Sequence, residues 1–84
     1  MKCFRVVMHG ITREPTDGDP EGAGFYTARS LKAESEQHAV EAALRSVRSN
    51  PEVGHLVKLL VKEVFEVAPA EVRAQHGFIF YEGN

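Results

Sequence analysis

Cysteine is almost missing from this chain, which has Cys3 and no other. A lone thiol cannot make an internal disulfide, and a cysteine-based zinc cage needs two or more, so both staples are excluded. A reducing cytosol is the default setting for such a sequence, and a cytoplasmic protein is expected. Long apolar runs are missing as well. None approaches the roughly 18 to 20 residues that a membrane-spanning helix needs. Arg5, His9 and Arg13 interrupt the first segment too early for a signal peptide.

Excess charge is the third scarcity. Ten Lys and Arg against twelve Asp and Glu leave a net −2 with the signs interspersed. The chain as a whole therefore draws neither phosphate backbones nor anionic lipid, and neither nucleic acid nor membrane is expected as a partner. Nucleotide and nucleophile motifs are lacking in the same way. No P-loop, G-x-G-x-x-G or G-x-S-x-G pattern occurs, and Gly18, Gly22 and Gly24 do not lead a strand into a helix. The sequence offers no cofactor and no catalytic constellation, and it leans away from an enzyme.

What is present fits one domain over residues 1–84, with 43% apolar and 26% charged residues, the composition of an ordinary globular protein. A chain of this size buries only about 60 to 65% of the surface that its unfolded form exposes, so self-association would help it. Residues 2–9, KCFRVVMH, alternate with Phe4, Val6 and Met8 on one face and Cys3, Arg5, Val7 and His9 on the other, which predicts a first strand. Residues 24–33, GFYTARSLKA, also read as extended, but neither face is cleanly apolar and a sheet edge is predicted for them.

The period then changes. In residues 35–49, Ala39, Val40, Ala43, Leu44 and Val47 fall on one helical stripe, with Ser35 as N-cap, Glu36 in the first turn, and Arg45 and Arg48 near the carbonyl end. Asn50 and Pro51 end that helix. From Leu56 to Ala68 the period returns to two, placing Val57, Leu59, Val61, Phe65 and Val67 on one face, broken only by Glu63. Residues 69–77 predict a turn or two of helix between Pro69 and Gly77, and FIFY at 78–81 predicts a last short strand.

The order β-β-α-β-(short α)-β predicts an α+β fold with one main helix on a four-stranded, mostly antiparallel sheet. Placing the first strand between the second and third satisfies the right-handed crossover rule. The expected strand order is 2-1-3-4, a split β-α-β resembling half of a ferredoxin-like fold.

The stretch GITREPTDGDPEGAGFY, residues 10–26, is the best imitation of a metal device. Asp17, Asp19, Glu21 and Gly22 match positions 1, 3, 5 and 6 of a calcium loop, but position 12 falls on Ala28, which has no carboxylate. A mobile strand connection is expected from Thr12 to Gly22, and no metal. His9, His38, His55 and His76 show no i, i+4 pair, although His9 and His55 would share one rim of the proposed sheet. Cys3 has no partnered base nearby in sequence and reads as a packed strand residue.

The sheet face away from the helix would carry Arg5, Val7, Lys58, Leu60, Lys62, Val64 and Glu66. That face lacks the central aromatic residues of an RNA-binding sheet. The leading expectation is a non-enzymatic protein that self-associates, as a homodimer or higher oligomer, and binds a protein partner. Its interface would include Leu60, Val64, Phe78, Ile79, Phe80 and Tyr81, because alternation sends two residues of FIFY to each face and one helix covers only one. The alternative is a regulatory domain or small enzyme that takes an anionic metabolite on Arg5, His9, His55, Lys58 and Lys62.

Overall fold

The computed structural model describes residues 1–72 and 77–82. Strands β1 (Lys2–Arg13), β2 (Ala23–Ala33), β3 (Lys58–Val67) and β4 (Phe78–Glu82) form one antiparallel sheet, and helix α1 (Glu36–Arg48) packs on one of its faces. The class is α+β, as the changes of period predict. Where it is described, the short helix expected over 69–77 is a single 3-10 turn, Pro69–Glu71. Residues 73–76, His76 among them, lie outside the described residues.

Local chemistry places α1. The extended Ser35 accepts a hydrogen bond from the His38 amide at 3.2 Å, Glu36 stands in the first turn, and Arg45 and Arg48 stand in the last. Ala39, Ala43 and Val47 recur every fourth residue and are fully buried, so small side chains let the helix approach the sheet closely. Val40 and Leu44 pack against this core from its flanks and are only partly buried. Leu44→Ala should therefore cost about 1 to 2 kcal/mol, less than the roughly 2 to 5 of an enclosed leucine. Urea denaturation checks this, and a loss under about 0.5 kcal/mol would place Leu44 at the plain surface.

The strand order is β3-β1-β2-β4. The split β-α-β is present, with β1 between β2 and β3, but the expected order 2-1-3-4 is corrected at its end. β4 pairs with β2, Phe80 opposite Phe25 and Tyr81 opposite Gly24, on the far side from β3. Apolar β3 is thus an edge and polar β2 is central, the reverse of the reading from hydropathy.

Two causes account for it. The polar side chains of β2 are bonded: Thr27 Oγ1 donates to the Gly77 carbonyl at 2.9 Å, Arg29 Nη1 to Thr27 Oγ1 at 3.0 Å, Arg29 Nε to Ser46 Oγ at 3.2 Å, and Arg5 Nε to Ser30 Oγ at 3.0 Å. Bonded polar groups do not oppose a central position. β2 also offers ring partners to β4. Phe25 meets Phe78 edge-on at 5.2 Å and Phe80 at 5.8 Å between centroids, and Tyr81 lies over the bare backbone of Gly24.

A bulge corrects the faces of β3. Val7 stands opposite Glu63 and Met8 opposite Val61, which leaves Lys62 as an extra residue. Beyond it the alternation changes phase. Val64 and Glu66 fall opposite Val6 and Phe4 on the helix side, while Glu63, Phe65 and Val67 fall opposite Val7, Arg5 and Cys3 on the other. Val64, expected on the open face, accordingly packs against the core, and Phe65, expected on the helix side, is 36% exposed on the open face.

The acidic hairpin connection, 14–22, is shorter than expected because β1 runs on to Arg13. It is also internally bonded. Paired backbone bonds between Thr16 and Asp19, at 2.8 and 3.1 Å, close a turn at Asp17 and Gly18. The Asp19 carboxylate accepts from Arg13 Nε at 2.8 Å and from the Gly22 amide at 3.3 Å, and Gly22 adopts φ +66°, which glycine reaches without strain. The connection expected as a mobile link thus carries an Arg13–Asp19 clamp.

Candidate functional site

Residues opposite one another in a ladder share a face of the sheet. The register therefore builds the face opposite α1 row by row. Leu60, His9, Tyr26 and Ile79 form one row across all four strands. On one side of it come Glu63, Val7 and Ala28, then Phe65, Arg5 and Ser30; on the other come Lys58, Ile11, Gly24 and Tyr81. Ile79 is 71% exposed, Tyr26 46%, Leu60 38% and Phe65 36%. A depression of about 280 Å³ opens here, with Val7, Tyr26, Ala28 and Ile79 in its lining.

Three rings organise the row. His9 and Tyr26 stack with centroids 4.5 Å apart and planes inclined by 14°, so each ring turns a face to the other. Because Gly24 has no side chain, Tyr81 lies across it and brings its hydroxyl 2.6 Å from His9 Nε2. Burial lowers the pKa of His9, and the Lys62 charge lowers it further. Burial raises that of Tyr81, with Tyr26 and Glu21 adding to the rise. At neutral pH the phenol keeps its proton and the imidazole is neutral, and in the tautomer with its proton on Nδ1 the Tyr81 hydroxyl donates to Nε2.

These shifts carry a pH prediction. The folded His9 titrates below the ordinary 6.5 of the unfolded chain, so between the two values the unfolded state holds more protons. Stability that is fully present above pH 6.5 is lost as the pH falls toward the lowered folded value. Thermal melts from neutral to mildly acidic pH should show a flatter decline for His9→Gln than for the parent. Superimposable pH profiles would show that His9 is not coupled to the fold.

Charge on this face departs from that of the chain. It presents Arg5, Lys32, Lys58 and the bulge residue Lys62, whose charge reaches His9, against Glu63 and against Glu21, whose charge reaches Tyr81. On a protein of net charge −2, the open face is therefore net positive and the acidic excess lies elsewhere.

Of the residues singled out in the sequence, Arg5, His9, Lys58 and Lys62 come together on the open face, with Leu60, Ile79 and Tyr81. His55 lies exposed in the connection before β3, apart from the rings around His9. Phe78 and Phe80 join Phe25 on the helix side, and Val64 is in the core layer. Sequence reasoning missed Tyr26, Ala28 and Lys32 as members of this face. The register of the β1–β2 hairpin is the signal that finds them, since pairing His9 with Tyr26 fixes all three.

Among the described residues no group of three or more His, Cys, Asp or Glu is placed to hold a metal ion, and no helix is long and apolar enough to cross a membrane. Comparison with protein-family models, with curated proteins and with solved structures gives no match.

Proposed function

We propose that the protein is a non-catalytic docking module whose open sheet face takes a segment of a partner protein bearing acidic and apolar side chains. The observation that carries this reading is a cluster of cations at the β1–β3 end of an exposed apolar row. Lys58 and Lys62 flank the Leu60–His9–Tyr26–Ile79 row, and Arg5 stands beside Phe65. An apolar depression of about 280 Å³ is the size for one anchoring side chain, and such anchors carry most of the affinity of a protein interface. The surrounding charges would orient an acidic segment and speed its arrival.

A single-stranded nucleic acid shares the acidic character but needs ring faces on which bases can lie. His9 and Tyr26 turn ring faces toward each other, which favours a polypeptide.

The test is fluorescence anisotropy with a short labelled peptide alternating glutamate with leucine and phenylalanine, beside a thymidine oligonucleotide. The peptide should bind, and Lys58→Glu with Lys62→Glu should weaken it by roughly tenfold or more, about 1.4 kcal/mol per factor of ten. Unchanged affinity in the charge-reversed variant, or preference for the oligonucleotide, would overturn the reading.

A further inference from the structure

We infer that β4 pairs with β4 of a second copy of the chain about a two-fold axis at Phe80, joining two four-stranded sheets into one of eight. The two edges of the sheet are unlike. The β3 edge is blunted by Lys58, Lys62, Glu63 and Glu66 and by its bulge, the usual protections against pairing. β4 has five residues, Phe78, Ile79, Phe80, Tyr81 and Glu82, with no lysine, proline or bulge. Its inner side is bonded to β2, and among the described residues no strand pairs with its outer side, which presents backbone donors and acceptors in strand geometry.

The sequence of β4 fits its own copy in one register. Antiparallel pairing about a two-fold axis sets residue numbers that add to a constant. Keeping both helices on one side of a continuous sheet requires an even constant, so the axis must pass through a residue. Only the axis at Phe80 pairs all five residues. It sets Phe80 against the partner's Phe80, Ile79 against the partner's Tyr81, and Phe78 against the partner's Glu82.

Two of these pairs cover apolar surface: Phe80 is 54% exposed and Ile79 71%, and both gain aromatic cover. Glu82, 3.8 Å from Arg13 within its own chain, would stand beside the partner's Phe78, a ring that already carries the Arg29 guanidinium 5.2 Å from its centroid. The dimer also sets two open faces side by side, with Ile79 and Tyr81 of each at the seam between them.

Cysteine cross-linking reads the register directly. Residues opposite one another in an antiparallel pair have Cα atoms about 4.5 to 5.5 Å apart, within the roughly 4.4 to 6.8 Å that a disulfide spans. Under mild oxidation at micromolar concentration, Phe80→Cys should form a covalent dimer and Ile79→Cys should not, while Ile79→Cys combined with Tyr81→Cys should. The native Cys3 is buried and gives little background. Circular dichroism establishes that each variant is folded. Sedimentation of the unaltered chain should show a dimer that Ile79→Glu converts to a folded monomer.

A parent chain that sediments only as monomer would overturn the inference, as would equal cross-linking at positions 79 and 80. These outcomes are read from sedimentation and cross-linking without peptide, so they stand or fall apart from the docking reading.

Discussion

Phe25→Ala should lower stability by about 3 to 5 kcal/mol, a large part of what a chain of this size has. Phe25 is the largest fully buried side chain among the described residues. Its ring lies across Gly10 of β1 on the helix side of the sheet and receives Phe78 edge-on at 5.2 Å and Phe80 at 5.8 Å. Truncation leaves a ring-sized cavity among neighbours that are themselves fixed by sheet pairing, so little collapse can fill it. It also removes the surface on which β4 docks. Chemical denaturation measures the loss, and a value under about 1 kcal/mol would mean that β4 does not depend on this ring.

Gly10→Ala should be the second large effect, and its direction opposes the usual preference of strands for residues other than glycine. A Cβ at position 10 would fall inside the Phe25 ring. The ring is enclosed and has no rotamer to retreat to, so overpacking should cost about 1 to 3 kcal/mol or more. The pair supplies its own control. In a Phe25→Ala background the same methyl enters vacated space, so the double variant should be clearly more stable than the sum of the two losses predicts. Additive losses would show that Gly10 is needed for another reason.

This glycine and ring contact also shows where sequence reasoning stops. α1 is legible because its signals are local: Ser35 caps it, Pro51 stops it, and the Ala39, Ala43, Val47 spacing is visible without knowing what it meets. The strands are legible for the same reason. Their order is not, because the polarity of β2 is offset by Ser46, Gly77 and Arg5, which are distant in sequence. The bulge at Lys62 is hidden too, since LVKLLVKEVFEV has an apolar residue available in either phase.

The candidate face was half readable. Alternation alone puts Arg5 and His9 together on β1, whereas Tyr26 joins them only once the Arg13–Asp19 clamp and the hairpin register are known. Tyr26 is an aromatic residue on a central strand, and the polarity of β2, which predicts an edge, hides that position in the sequence.

Mapping peptide contacts by amide NMR shifts tests the docking claim most directly. On addition of the acidic, leucine- and phenylalanine-bearing peptide, the account predicts shifts at Val7, Ala28, Phe65 and Ile79, with Ala39, Ala43 and Arg48 on α1 unmoved. Shifts gathered instead around the groove of about 460 Å³ lined by Leu44, Arg45 and Arg48 would contradict it, as would a spectrum unchanged at saturating peptide.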